Sequence, residues 1–81
     1  MVEVYGADWC EDTQRTRKHL NRLAITYHYI NVEHDKRASE WVKQQHEGKE
    51  KKPTVKIGER VLTVPSDAEL EHALRQEGLL P

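Results

Sequence analysis

The fold follows from one segment of the sequence, Tyr5-Gly6-Ala7-Asp8-Trp9-Cys10-Glu11-Asp12-Thr13, which contains the only cysteine of the chain. An alternating run from Met1 to Tyr5 leads into it and predicts a strand. The residues from Glu11 to Leu23 include neither glycine nor proline and are rich in helix formers, which predicts a helix. Cys10 is therefore expected in a tight strand-to-helix turn, at or just inside the start of the first helix.

This position favours a reactive cysteine. Free backbone N–H groups and the positive end of the helix dipole meet at a helix start, and both stabilise an anion. A cysteine placed there tends to form the thiolate, which is its nucleophilic form. Two observations argue the other way. A lone cysteine is often a small buried hydrophobe, and the carboxylates of Asp8, Glu11 and Asp12 would oppose a thiolate if they point at the sulfur.

Length and composition indicate one small domain, residues 1–81. A chain of this size buries only about 60% of its unfolded surface. Its 13 basic and 14 acidic residues are well mixed, so neither nucleic acid nor an anionic membrane is an expected partner. We see no long apolar run and no signal peptide. One cysteine excludes an internal disulfide and fits a reducing compartment. These features predict a cytoplasmic protein, and we expect a monomer.

The rest of the chain predicts three more strands and two more helices. In order, these are a strand over Ile25–Val32, a helix capped by Asp35 and extending to about Gln45, a strand over Lys52–Ile57, a turn at Gly58-Glu59, a strand over Arg60–Val64, and a helix opened by the capping box Ser66–Glu69 and ended by Gly78. A strand–helix–strand crossover makes the first two strands parallel. The order βαβαββα therefore predicts an α/β fold with one mixed four-stranded sheet flanked by helices.

Helical spacing also assigns side chains to the core or to solvent. The second helix should direct four side chains toward the core, those of Ala38, Trp41, Val42 and Gln45. The basic residues of the first helix, including Arg15 and Arg17, are expected on a solvated face. The five histidines, His19, His28, His34, His46 and His72, show no ligand-like spacing, so no metal site is expected.

The arrangement of the chain, with a cysteine after the first predicted strand and a proline before the third, resembles the glutaredoxin branch of the thioredoxin fold. The resemblance covers essentially the whole chain. The motifs that carry the resemblance are Tyr5-x-x-x-Trp9-Cys10-x-x-Thr13, Lys52-Pro53-Thr54-Val55 and Val64-Pro65-Ser66-Asp67-Ala68-Glu69-Leu70. The chain is most similar to short bacterial glutaredoxin-like proteins, including mycoredoxins and ribonucleotide-reductase-associated redoxins. These families use the motif cysteine to attack disulfides and mixed disulfides with low-molecular-weight thiols.

The resemblance implies roles for particular residues. Cys10 falls on the family's nucleophile and Pro53 on its cis-proline. By the same resemblance, the residues that bind the thiol ligand are Trp9, Lys52, Pro53, Thr54, Ser66 and Asp67. Glutathione or another low-molecular-weight thiol would be the co-substrate, without a tightly bound cofactor, and thiolated or disulfide-containing proteins would be partners. Two alternatives stay open, namely plain helix capping by Ser66 and Asp67, and solvated loop charges at Lys51 and Lys52.

The sequence also departs from the family at several positions. Thr13 replaces the usual second motif cysteine, and Ala7 replaces a lysine that some glutaredoxins carry. The motif differs from the Cys-Gly-Phe-Ser of iron–sulfur-binding glutaredoxins. We therefore expect a monothiol oxidoreductase in which Thr13 donates a weak hydrogen bond to the Cys10 thiolate. The alternatives are a non-catalytic thioredoxin-fold binding module and, less favoured, an iron–sulfur cluster carrier.

Overall fold

The computed structural model describes residues 1–81 and places seven elements in the predicted order. They are β1 (Val2–Gly6), α1 (Glu11–Arg22), β2 (His28–Asn31), α2 (Lys36–Gln45), β3 (Thr54–Ile57), β4 (Arg60–Thr63) and α3 (Asp67–Gln76). The strands form one sheet in the order β2-β1-β3-β4. Strand β2 is parallel to β1, while the β1–β3 and β3–β4 pairs are antiparallel. The predicted mixed four-stranded α/β fold is thus confirmed.

The sheet separates two hydrophobic clusters, because neighbouring residues of a strand point to opposite faces. The larger cluster contains Val2, Val4, Leu20, Val55, Ile57, Leu70, Ala73 and Leu74, and joins the sheet to α1 and α3. The smaller cluster contains Val32, Ala38 and Val42 under α2, with Tyr5, Ile30 and Trp41 packed against it. None of the three helices is long and apolar enough to cross a membrane.

Helix α2 is anchored to the sheet through an aromatic contact. The rings of Trp41 and Tyr5 lie with their centroids 4.6 Å apart. Trp41 is half-buried and packs beside Val42, as its predicted inward position requires. Gln45, also predicted to face inward, is exposed. The prediction fails there because the cluster under α2 reaches only to Val42, so the last turn of the helix extends past it.

The second strand is shorter than predicted. Only His28–Asn31 pairs with β1, opposite Glu3–Gly6. The prediction of a strand from Ile25 to Val32 is therefore wrong at both ends. At its start the cause is local, since Ile25 still belongs to the termination of α1.

Helix α1 ends in a Schellman motif, which satisfies carbonyl groups of its last turn. The Ile25 N–H donates to the Leu20 carbonyl at 3.0 Å, and the Ala24 N–H donates to the Asn21 carbonyl at 3.1 Å. Ala24 takes the left-handed conformation that this motif needs, with φ 57°. The predicted end of α3 at Gly78 uses the same conformation, with φ 75°. An alanine gave no signal for the motif in α1.

We predict that Ala24→Gly stabilises the protein. A Cβ in the left-handed region costs about 1–2 kcal/mol, whereas glycine adopts this conformation freely but loses about 0.5–1 kcal/mol more conformational entropy on folding. The net gain in the free energy of unfolding should be about 0.5–1 kcal/mol, measured by chemical denaturation. Gly78→Ala, at the matching position of α3, is the control and should lower the same quantity. A loss of stability in Ala24→Gly would contradict the prediction.

Candidate active site

Cys10 is the N-cap residue of α1, which confirms its predicted position at the start of the helix. Its backbone is extended, with φ −78° and ψ 120°. Its N–H donates to the Ala7 carbonyl at 3.1 Å, and its carbonyl accepts from the Gln14 N–H at 3.0 Å. The side chain is half-buried and makes no capping hydrogen bond to the first turn. The start of α1 therefore has no side-chain cap, and the N–H groups of a first helical turn favour an anion.

The loop before β3 lies against the cysteine. The Cys10 Sγ is 3.8 Å from the Lys52 carbonyl oxygen. The Lys52–Pro53 peptide bond is cis, as predicted. Pro53 is buried, and its carbonyl accepts from the N–H of Val64 at 2.9 Å, which ties the loop to the chain that follows β4. The structure thus brings together Cys10, Lys52 and Pro53.

Thr54 forms hydrogen bonds that link this loop to His46. Its buried hydroxyl donates to the Lys51 carbonyl at 2.8 Å and lies 3.0 Å from His46 Nε2. Because the hydroxyl proton is already used, Thr54 accepts from Nε2–H, and His46 Nδ1 is left to accept from the Thr63 hydroxyl at 3.4 Å. His46 therefore fastens the loop. No group of three or more His, Cys, Asp or Glu side chains is arranged to hold a metal ion.

Thr13 is part of the core, and its hydroxyl is bonded to the backbone of the turn rather than to Cys10. It is fully buried, and its hydroxyl accepts from the Ala7 N–H at 3.4 Å. A Cβ added at Gly6 would stand 2.5 Å from the Thr13 Oγ1 and Cγ2 atoms, so Thr13 packs directly on that glycine. No hydrogen bond joins the Thr13 hydroxyl to Cys10, because the hydroxyl is directed at the Ala7 N–H. The expected donation to the thiolate is absent from this geometry.

Two of the three carboxylates near Cys10, those of Asp8 and Asp12, have partners of their own. Asp8 Oδ1 accepts from the Tyr29 hydroxyl at 2.7 Å, which directs Asp8 toward β2. Burial, followed by this hydrogen bond, raises the pKa of Tyr29 to about 12. Asp12 lies 3.5 Å from the guanidinium of Arg15. The directions of Asp8 and Asp12, which the sequence left open, are thus set by Tyr29 and Arg15.

Trp9 and Lys52 form one side of the site. Trp9 is 64% exposed, and its indole N–H donates to Glu33 at 2.8 Å. The Lys52 Nζ lies 5.4 Å from the centroid of the Trp9 ring and 2.8 Å from Glu50 Oε1. The other oxygen of Glu50 accepts from the Ser39 hydroxyl. The interpretation of Lys52 as a solvated loop charge is therefore wrong, because its ammonium is held in an ion pair.

Ser66 and Asp67 open α3, and their hydrogen bonds and ion pairs do not involve the cysteine. Ser66 Oγ accepts from the Glu69 N–H at 3.1 Å, and Glu69 accepts from the Ser66 N–H at 2.9 Å. This reciprocal pair is the predicted capping box. Asp67 Oδ1 lies 3.0 Å from Arg15, which also donates to the Pro65 carbonyl at 3.2 Å. Capping is the role that the structure gives Ser66, and ligand contact by either residue stays a prediction.

Two residues of the site have contacts that the sequence did not indicate. Arg15, expected on a solvated face, joins α1 to the start of α3 through Asp67. Glu50 holds Lys52 beside Trp9. Helical spacing could not have revealed the first contact, because its partners are 52 positions apart in the chain. Glu50 is only two positions from Lys52, but it stands in a charged loop with no regular spacing.

We predict opposite effects from removing the two buried hydroxyls of α1. Thr13→Val leaves the buried Ala7 N–H without its acceptor and should lower the free energy of unfolding by about 1–3 kcal/mol. Thr16 Oγ1 is buried and has no hydrogen-bond partner. Thr16→Val, the matched control, should therefore leave stability unchanged or raise it by about 1 kcal/mol. Chemical denaturation measures both, and equal losses in the two variants would refute the assignment.

The sheet order and the position of the cysteine, between a helix start and a cis-proline loop, are those of a thioredoxin-fold protein. Comparison with known proteins narrows this class. The family model described as Glutaredoxin matches residues 2–62, and the chain therefore belongs to the glutaredoxin family.

Individual relatives agree with this assignment. The chain is 32% identical over 74 residues to a Mycobacterium tuberculosis protein named as a glutaredoxin, covering 90% of this chain and 88% of the relative. It is 34% identical over 58 residues to mycoredoxin 1 of Corynebacterium glutamicum, covering 72% and 71%. A crystal structure of a buckwheat glutaredoxin–glutathione complex superposes with a TM-score of 0.74 at 20% identity, covering 99% of this chain and 81% of that one.

Proposed function

We propose that this protein is a monothiol thiol–disulfide oxidoreductase acting on mixed disulfides between proteins and a low-molecular-weight thiol. The observation that carries the proposal is the single sulfur at the start of α1, half-buried and 3.8 Å from the Lys52 carbonyl. Membership of the glutaredoxin family supports this chemistry. Since the chain has one cysteine, the second thiol of the reaction comes from solution. We place the reaction in the cytoplasm, with the protein as a monomer.

The reaction divides into two thiol–disulfide exchanges. In the first, the Cys10 thiolate attacks the sulfur of the small thiol in a mixed disulfide. The old S–S bond breaks, the client protein leaves as a thiolate that takes up a proton, and Cys10 is left in a disulfide with the small thiol. In the second, the thiolate of another small-thiol molecule attacks this disulfide. The small thiol leaves in its oxidised form, and the Cys10 thiolate is regenerated.

We assign the small thiol to the surface between the cysteine and the proline loop. The exposed face of Trp9 offers an apolar contact, and the Lys52 backbone borders the sulfur. Pro53 and Thr54 are buried and would hold the loop in place. Ser66 and Asp67 would contribute at the start of α3, where backbone N–H groups suit an anionic group. A related fold that binds glutathione, in the buckwheat protein, supports a thiol of this kind.

We predict that turnover depends on the free small thiol. The rate of reduction of a protein–glutathione mixed disulfide should rise with glutathione concentration, because resolution is bimolecular. Cys10→Ser should reduce the rate to that of the uncatalysed exchange. Intact mass after oxidation should show wild type carrying one small-thiol adduct or forming a disulfide-linked dimer. Many cycles of protein disulfide reduction without any small thiol would disprove the monothiol mechanism.

Thr13→Cys is the complementary variant. A cysteine one helical turn after Cys10 should close an internal disulfide and expel the small thiol, so the adduct mass should disappear and the dependence on free thiol should weaken. Thr16→Cys, which introduces a thiol at another buried position of the same helix, is the control and should keep the adduct. A folded wild type that binds mixed disulfides without turning them over would instead support the binding-module alternative.

A further inference from the structure

Lys52 brings a positive charge beside Trp9, the residue that precedes the proposed nucleophile. Its backbone carbonyl borders the Cys10 sulfur, and its ammonium lies 5.4 Å from the centroid of the exposed Trp9 ring. A carboxylate on an incoming small thiol or disulfide would be attracted to a free ammonium in this place, because opposite charges interact strongly when partly withdrawn from water. Whether this ammonium is free or already paired therefore affects which small thiols can bind at the site.

The Lys52 ammonium is already paired with the Glu50 carboxylate. Its Oε1 lies 2.8 Å from Lys52 Nζ, with the two side chains only 23% and 17% exposed. The Ser39 hydroxyl donates to the second carboxylate oxygen, so Glu50 is fixed from α2 as well. The hydrogen bond from Lys52, followed by that from Ser39, holds the pKa of Glu50 below its ordinary value. The carboxylate is thus charged at neutral pH and stays on the lysine.

We propose that Glu50 is a specificity-determining residue: it neutralises Lys52 and disfavours small thiols and disulfides that present a carboxylate beside Trp9. This inference rests on the proposed function and deepens it. It names the preferred substrate class as small thiols whose part beside Trp9 is uncharged. Glu50 acts through Lys52 and is a positioning residue. The nearby cation Lys51 does not replace Lys52, because it lines a different cleft with His46 and Thr63.

The test compares two chromogenic disulfides in single-turnover reactions of Cys10. Dithiobis(nitrobenzoate) carries a carboxylate on each ring, and dithiodipyridine is its uncharged counterpart. In each reaction the Cys10 thiolate attacks one sulfur, the S–S bond breaks, a new S–S bond forms to Cys10, and the aromatic thiolate leaves with the electron pair. No other oxidant is needed. The measured quantity is the ratio of the two second-order rate constants, the anionic disulfide over the neutral one.

Glu50→Gln should raise this ratio about fivefold, by releasing the Lys52 ammonium to the anionic probe. The rate with the neutral probe should change little. The gain should shrink at about 1 M salt, where the Debye length falls to about 3 Å. It should also be absent from the double variant Glu50→Gln with Lys52→Met. Should Glu50→Gln fail to fold, Glu50→Asp draws the carboxylate back from Lys52 and should shift the ratio in the same direction.

Glu77→Gln is the matched control for net charge. Glu77 also forms a 3.0 Å ion pair, with Arg60, but it lies near the β3–β4 turn at the far end of the sheet from Lys52. An unchanged ratio in Glu50→Gln, an equal change in Glu77→Gln, or a parallel change with both probes would overturn the inference. Because the reaction is stoichiometric, it gives this answer even where wild type fails the turnover test of the proposed function.

Discussion

The geometry of the site depends on how closely α1 approaches β1. A side chain at Gly6 would collide with Thr13, whose methyl and hydroxyl groups fill the space that the missing Cβ leaves. The need for glycine is spatial here, since Gly6 is not among the residues with positive φ. Thr13 also accepts the Ala7 N–H, so the turn between strand and helix is closed within a few residues. Cys10 consequently caps the helix, with its sulfur directed at the loop that carries Lys52.

The charges around the cysteine are mostly satisfied within the protein. Tyr29 donates to Asp8, Lys52 pairs with Glu50, and Arg15 pairs with Asp67. The partly buried Lys52–Glu50 pair is screened less by salt than an exposed pair would be. The Lys52 ammonium and the Arg15 guanidinium are therefore already paired within the protein. In the proposed function, contact with the small thiol therefore falls chiefly to the loop backbone and the exposed face of Trp9.

The sequence predicts the features that rest on local rules and misses those that depend on tertiary contact. Cys10 at the start of α1, the capping box at Ser66 and the end of α3 at Gly78 follow from residue type and spacing, and all three are confirmed. The cis Lys52–Pro53 bond followed from the family resemblance. The end of α1 is predicted to within one residue, but its Schellman motif is not, because Ala24 takes a conformation usually reserved for glycine. The partner of Arg15 could not be predicted, because it comes from a helix that only the fold brings near.

Thr13 shows why loss of a second motif cysteine is a packing change as well as a chemical one. Its hydroxyl accepts a backbone N–H and its methyl presses on Gly6, so the residue completes the junction between β1 and α1. A cysteine would fill part of this volume, but sulfur is a weak acceptor and would hold the Ala7 N–H less well. Threonine thus strengthens the turn that presents Cys10 and removes the internal thiol that could release it from a mixed disulfide. In the proposed mechanism, the lifetime of a mixed disulfide at Cys10 would then be set by thiols outside the protein, which would couple the state of Cys10 to the free thiol pool.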